Sequence, residues 1–141
     1  MSTFLLPWLL FLLLGDDQPQ ASQPEQAQLI LYREKEFISG MGKGYAFKIN
    51  EEKMGKLSPN RYVQLAVNPG RIKLEFDSNY LSDSRPLWLR VQAGQTYYVK
   101  AVVEIDFLST TIVMAPVEPQ KAQQELSRMK PEYTQKVKEP D

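Results

Sequence analysis

The chain has 141 residues, of which 43% are hydrophobic and 24% charged, enough for one domain with a buried core and short for two. Lys plus Arg equals Asp plus Glu, 17 each, so the formal net charge is zero, which argues against a nucleic-acid partner. Cysteine and histidine are absent from the sequence, which excludes disulfides, thiol nucleophiles and the usual histidine base or metal ligand. We therefore expect no cofactor and no metal site.

The N-terminal segment contains an apolar run, FLLPWLLFLLLG, at residues 4–15. The run is shorter than the about 20 residues that a membrane-spanning helix needs, and it suits the apolar core of a secretory signal peptide. We interpret residues 1–21 as a signal cleaved after Ala21. Two features differ from a usual signal: no basic residue precedes the run, and Pro19 stands two positions before Ala21, where a small residue is usual. The alternative is an uncleaved N-terminal anchor, with membrane contact only through residues 4–15. Both interpretations predict an exported protein of the periplasm or cell envelope.

The folded part of the chain follows a short polar segment. Residues 22–26 show no apolar periodicity, which predicts a flexible linker. Gln28–Arg33, QLILYR, has apolar residues on both faces of a predicted strand, which indicates a strand in the middle of a sheet. Tyr45–Ile49 alternates as a second strand, and Met54–Leu57 predicts a return strand with Gly55 at a β-bulge.

Two stretches with clear alternation are interpreted as β-hairpins. In Val63–Phe76, a turn at residues 68–70 contains Pro-Gly, in which proline fixes φ and glycine accepts positive φ. In Leu87–Lys100, apolar and polar residues alternate before a turn at residues 93–95, and β-branched and aromatic residues follow it. We predict that this second hairpin is the element around which the other strands are organised.

The last part of the sequence changes from strand to helix periodicity. Thr111–Val117 predicts a strand that lies at an edge or is ending, because Pro116 cannot donate to a ladder. Residues 118–141 predict a short helix and a charged tail. Pro119 suits the first turn of this helix, and Pro131 is expected to stop it.

Strand and turn signals recur about every ten residues along residues 27–117. This spacing predicts an all-β fold, an antiparallel β-sandwich of about seven or eight strands with a short C-terminal helix. In such a fold each strand turns its apolar side chains toward the core and its charged side chains toward water.

Four segments carry a resemblance to a known family: Leu29–Arg33, Lys48–Leu57, Val67–Phe76 and Val91–Lys100. Their order and spacing over residues 27–117 resemble the bacterial envelope and lipoprotein family called domain of unknown function 2846. The resemblance implies an exported envelope protein. Many members carry a cysteine for lipid attachment, whereas this chain has none, so a lipid anchor is not implied. No catalytic residues are known for the family, so none can be carried over.

One candidate site is acidic. Glu104 and Asp106 are two residues apart in a predicted strand, so both carboxylates should face the same side. Paired carboxylates can perform acid–base chemistry or bind a hard cation. The alternative, which we favour, is a solvated sheet face, because no further acids converge on the pair.

The other candidate residues are aromatic and basic. Tyr97 and Tyr98 should point to opposite faces, so that one lies in the core and the other is a surface aromatic available to a ligand or partner. Trp88 and Arg90 should share a face, where they could form a cation–π pair or a contact patch. Structural packing is the alternative for these side chains.

The sequence therefore favours a non-enzymatic, exported module that binds or scaffolds in the cell envelope, with an envelope protein of unknown identity as its partner. One alternative is a small-ligand carrier or enzyme with an acidic or aromatic site on the sheet. Another is an assembly subunit or inhibitor that uses an exposed edge strand.

Overall fold

The structure, a computed structural model, describes residues 25–35, 44–77, 82–105 and 109–132. The predicted signal at residues 1–21 and the acidic candidate Asp106 lie outside these residues. The described elements are β1 (Ala27–Arg33), β2 (Tyr45–Ile49), β3 (Glu52–Leu57), β4 (Arg61–Val67), β5 (Gly70–Phe76), β6 (Ser82–Ser84), β7 (Leu87–Val91), β8 (Thr96–Ile105), β9 (Thr110–Val117), α1 (Pro119–Leu126) and β10 (Lys130–Pro131).

The strands form two sheets. The six-stranded sheet has the order β10-β4-β1-β8-β9-β6, and the four-stranded sheet has the order β3-β2-β5-β7. The predicted all-β, sandwich-like fold with one short helix is confirmed. The larger sheet is mixed, because β1 pairs with β8, β6 with β9 and β10 with β4 in parallel, while the remaining pairs are antiparallel.

The core lies between the two sheets and follows the alternation in the sequence. In β5, Ile72, Leu74 and Phe76 are buried, whereas the intervening side chains lie on the outer face. Phe76 meets Phe47 of β2 edge to face, with ring centroids 6.1 Å apart. Burial of each such side chain stabilises the fold by about 1.5–3 kcal/mol, so this alternation holds the four-stranded sheet against its partner.

Strand β1 is central, as its composition predicts. It pairs antiparallel with β4 on one side and parallel with β8 on the other. Leu29 and Leu31 are buried in the core between the sheets, while Tyr32 is buried on the other face, beneath α1. Arg33 is buried as well. Its guanidinium donates a hydrogen bond to the Leu57 carbonyl oxygen and lies 4.9 Å from the Tyr45 ring centroid.

Neither predicted hairpin of the sequence analysis forms. Strand β4 lies in the larger sheet and β5 in the smaller one, and β8 and β7 are divided in the same way. The turns at residues 68–70 and 93–95 therefore carry the chain from one sheet to the other. The prediction is wrong because two strands of a hairpin and two strands on opposite sides of a core have the same apolar alternation.

Both sheet-to-sheet turns lie at the end of the sandwich where β1 begins. The Gly94 N–H donates to the Gln26 carbonyl at 3.2 Å, and the Gln28 N–H donates to the Gln95 carbonyl at 2.9 Å. Gln26 also donates a side-chain hydrogen bond to Asn68 beside the other turn. Residues at the start of the domain therefore form hydrogen bonds at both turns.

True hairpins connect β2 with β3 and β8 with β9. Asn50 and Glu51, between β2 and β3, have φ values of 50° and 70°, the positive values that tight hairpin turns need. The predicted bulge is confirmed: Gly55 pairs with Phe47, and the register then shifts by one residue.

The segment after α1 differs from its prediction. The helix ends at Leu126, before Pro131 could stop it. Lys130 and Pro131 instead pair with β4, and Glu132 accepts hydrogen bonds from the backbone N–H and the hydroxyl of Ser58. The chain returns to the sheet because these hydrogen bonds fix it there. Residues 82–84 form the short strand β6, which pairs in parallel with β9.

Candidate functional site

The outer face of the four-stranded sheet carries a basic and aromatic surface, here called the Trp88 patch: Arg71, Lys73, Trp88 and Arg90. Antiparallel pairing of β5 with β7 sets Arg71 opposite Arg90 and Lys73 opposite Trp88. These side chains share one face because the alternate residues Ile72 and Leu89 turn to the other face, toward the core. The Trp88 side chain is 50% exposed, a large fraction for so apolar a residue.

The tryptophan is held by cations of the neighbouring strand. The guanidinium carbon of Arg71 lies 4.2 Å from the Trp88 ring centroid, and Lys73 Nζ lies 5.8 Å from it. Arg90, the cation–π partner considered from sequence, shares the face, but the structure places Arg71 over the ring. Arg71 is diagonal to Trp88 across the β5–β7 pair, a separation that the long arginine side chain spans.

The charges of the patch are only partly balanced. Lys73 Nζ contacts Glu51 at 3.0 Å and Glu75 at 3.7 Å, and the hydrogen bond to Glu51 is the main reason that the pKa of Lys73 is raised. Arg71 and Arg90 form no ion pair within the described part of the chain. Like charges directly opposite each other on paired strands repel, so this pair favours an added anion.

A second polar cluster lies between α1 and the outer face of the six-stranded sheet. Lys100 Nζ contacts Glu125 at 2.6 Å and Glu34 at 3.1 Å, and the Tyr32 hydroxyl donates to Glu125 at 3.3 Å. These contacts connect the helix to β8 and to the end of β1. The cluster therefore has a structural role in attaching α1 to the sheet.

The pKa values of the cluster follow from its contacts. The side chains of Glu34, Lys100 and Tyr32 together lower the pKa of Glu125 against the effect of burial. Burial acts to lower the pKa of Lys100, but its hydrogen bonds to Glu125 and Glu34 outweigh burial and raise it. Burial, and then the charge of Glu125, raises the pKa of Tyr32. At neutral pH Glu125 and Lys100 are charged and Tyr32 is neutral.

A pocket of about 460 Å³ opens beside this cluster. It is lined by charged and polar side chains of both signs: Glu34, Lys35, Asn60, Lys121, Gln124, Glu125 and Arg128, together with Met129. Its volume is sufficient for a small polar ligand. The carboxylate of Glu125 is already engaged by Lys100 and Tyr32, so the groups that remain available in the pocket are mainly basic.

The two tyrosines predicted as candidates point to opposite faces of β8. Tyr97 packs against the core, and its hydroxyl accepts a hydrogen bond from the Gln92 N–H at 2.8 Å. Tyr98 faces α1, where its hydroxyl accepts a hydrogen bond from the Gln123 side chain at 3.3 Å. Both hydroxyl groups therefore have partners within the molecule.

The predicted acidic pair cannot be assembled from the described residues. Glu104 is exposed near the end of β8, and Asp106 lies outside the described residues. Where the structure describes the chain, no group of three or more His, Cys, Asp or Glu residues could hold a metal ion.

Sequence reasoning missed Arg71 and Glu125. Arg71 belongs to the charged face of a strand whose partner was assigned wrongly, and the correct pairing with β7 is what brings it to Trp88. Glu125 belongs to the C-terminal helix, for which the spacing of apolar residues in the sequence indicated the packing face but not the polar contacts. The feature that identifies Arg71 is its position opposite Arg90, and this position can be recognised only once the order of the strands in the sheet is known.

In a comparison with known families, the family model described as "Protein of unknown function (DUF2846)" matches residues 23–114. The match contains the Trp88 patch and nearly the whole of both sheets, and it ends before α1. A search of curated proteins found no match. Among the described residues, no helix has the length and apolar character needed to cross a membrane.

Proposed function

Because the chain belongs to the DUF2846 family of proteins of unknown function, we propose from its own structure that it is a non-enzymatic binding module, exported to the cell envelope, which captures a partner protein on the Trp88 patch. The observation that carries the proposal is a half-exposed tryptophan flanked by two arginines that form no ion pair with any described residue. Tryptophan and arginine are the residues most enriched at the energetic centres of protein interfaces.

The setting of the patch supports a binding role. It lies on strands whose other face is fixed in the core, so its backbone is rigid and little ordering entropy is lost on binding. The surrounding side chains, such as Glu51 and Glu75, are charged and form a polar rim. A rigid aromatic anchor within a polar rim is the usual arrangement of a protein-binding surface.

Export is proposed from the apolar run at residues 4–15. Expressed from its start codon in a bacterium, the protein is expected in the periplasm or outside, with a mass reduced by about the first 21 residues. Cell fractionation and mass spectrometry measure this directly. Full-length protein in the membrane fraction would support the anchor alternative, and full-length protein in the cytosol would contradict export.

The binding role is tested by photo-crosslinking in producing cells. A photoreactive phenylalanine analogue replaces Trp88, and a matched variant carries it at Val102, which is 43% exposed on the other sheet. We expect a discrete protein adduct from position 88 alone, and its loss when Arg71→Glu and Arg90→Glu are added. Two results would contradict the proposal: adducts of equal yield at both positions, or an adduct from position 88 whose yield does not change when the two arginines are replaced.

A second candidate function is the binding or turnover of a small polar ligand, favoured by the pocket of about 460 Å³ beside α1. Its test is a thermal-shift screen with small anionic compounds, because Lys121 and Arg128 line the pocket. Stabilisation that is lost in Lys121→Glu and kept in Arg90→Glu would favour this function over the Trp88 patch.

A further inference from the structure

We infer that the partner presents an extended segment of alternating acidic and apolar residues, which adds to the four-stranded sheet as a new strand beside β7. This inference rests on the proposed function, since it specifies what binds at the Trp88 patch. It follows from three features of β7: its open edge, its side chains and the charge behind it.

Strand β7 is an edge strand. Among the described residues it pairs only with β5, so alternate residues of Leu87–Val91 have backbone N–H and C=O groups directed away from the sheet. Natural edge strands are usually protected by lysines, prolines or bulges. The other edge strand of this sheet, β3, has such protection in Lys53, Lys56 and the bulge at Gly55. Within β7 no lysine, proline or bulge is present, and its one charged side chain is Arg90 of the Trp88 patch.

The side chains of β7 specify the residues of an added strand. On the outer face, Trp88 and Arg90 are exposed, with Arg71 behind them. On the inner face, Leu87 and Leu89 are only partly buried although they pack against the core. A neighbouring strand would place alternate side chains beside each of these faces. Acidic residues would meet the arginines, and apolar residues would cover the two leucines.

An extended protein segment fits these features better than two other occupants. A lipid surface pressed against the outer face would meet Trp88 and the arginines, but it could reach neither the edge hydrogen-bonding groups nor Leu87 and Leu89. A second copy of the chain, joined through antiparallel β7 strands, would bring the arginines of both copies together on one face. Like-charge repulsion disfavours that arrangement.

The test uses three terminally blocked peptides with the full-length protein. The first alternates Glu and Val, the second alternates Lys and Val, and the third is the Glu–Val peptide with one central Val replaced by proline, which breaks a strand ladder without changing the charge. Calorimetry measures affinity, and NMR-detected hydrogen exchange measures protection of the amides of β7 and β3. We expect only the first peptide to bind well, with new protection at alternate residues of β7 and none in β3.

Two charge variants of equal net charge complete the test. Arg71→Glu/Arg90→Glu should weaken binding of the Glu–Val peptide by at least about tenfold. Lys56→Glu/Lys130→Glu changes the total charge equally at exposed positions outside both β7 and the pocket beside α1, and should leave binding unchanged. Circular dichroism checks that both variants remain folded.

Each other result overturns the inference. Equal binding of the proline-containing peptide, or binding without new protection in β7, would show that no strand is added. Binding of vesicles containing phosphatidylglycerol, lost in Arg71→Glu/Arg90→Glu, with no peptide binding, would identify a lipid surface instead. A protein adduct from position 88 without binding of the Glu–Val peptide would leave the proposed function standing and refute the acidic strand.

Discussion

Arg71 and Arg90 lie directly opposite each other on the antiparallel strands β5 and β7, and neither has an acidic partner in the described part of the chain. Arg71 turns over the Trp88 ring, with its guanidinium carbon 4.2 Å from the centroid. Cross-strand pairs of like charge are destabilising, so this arrangement lowers the stability of the free domain. We interpret it as a surface suited to an anionic partner at some cost in stability.

The first prediction is that Arg90→Glu stabilises the isolated domain while it removes binding. The change converts a repulsive cross-strand pair into an attractive one, which should raise the free energy of unfolding by about 0.2–1 kcal/mol. Urea denaturation measures the effect. Arg85→Glu, exposed just before β7, is the control and should change stability little. A clear loss of stability in Arg90→Glu alone would show that the two arginines do not repel each other in the free domain.

The second prediction concerns the core of β5. Leu74 is fully buried, whereas Lys73 lies on the outer face beside Trp88. We expect Leu74→Ala to lower the free energy of unfolding by about 2–5 kcal/mol, because it removes packed methyl groups and leaves a cavity. Lys73→Ala should cost roughly 0.5 kcal/mol or less, because its ion pairs are exposed. Similar losses in thermal or chemical unfolding would contradict the assigned faces of this strand.

The third prediction concerns the turns between the sheets. Gly94 and Gly70 have φ values of 77° and 127°, which residues with a Cβ rarely adopt. Gly94→Val and Gly70→Val should each lower stability by about 1–2 kcal/mol through local strain. At Gly94 a Cβ would also lie 2.9 Å from the Glu25 carboxylate, although that side chain can move aside. Differential scanning calorimetry should show lower melting temperatures, and unchanged melting of both variants would show that the turns do not need positive φ.

The fourth prediction links Glu125 to acid stability. Its folded-state pKa is lowered by Glu34, Lys100 and Tyr32, so its contribution to stability is present above the unfolded pKa of about 4.3 and is lost as pH falls through the folded pKa. Glu125→Gln should therefore cost about 1–3 kcal/mol at neutral pH. The difference from the parent should narrow as pH falls below about 4.

Urea denaturation between neutral and acidic pH tests this fourth prediction. Gln124→Ala is the control, because Gln124 is exposed on the same helix. A difference between parent and Glu125→Gln that stays constant down to the lowest pH would mean that the carboxylate charge does not attach α1 to the sheet.

Much of the fold could be predicted from sequence because alternation reports which side chain is buried. The apolar residues of the alternating stretch that ends at Phe76, namely Ile72, Leu74 and Phe76, are buried in the core, and Gly55 lies at the predicted bulge. Alternation does not report which strand lies beside which. The turn at Gly94 has hairpin chemistry, yet it connects two sheets, and nothing local distinguishes the two cases.

The candidate site could be predicted only in part for the same reason. Trp88 and Arg90 share a face because they are two residues apart, which sequence shows directly. Arg71 reaches Trp88 only through the pairing of β5 with β7, a contact between distant segments. Likewise, Lys100 and Glu125 meet only because α1 packs back on β8.

The most direct test of the central claim is the affinity of the partner captured from position 88, measured by calorimetry for a set of variants. The account predicts that Arg71→Glu/Arg90→Glu weakens binding by at least about tenfold. It also predicts that Lys56→Glu/Lys130→Glu, with the same net charge, and Glu125→Gln, beside the pocket, leave the affinity unchanged. Equal weakening by both charge variants, or a loss confined to Glu125→Gln, would contradict a binding surface centred on Trp88.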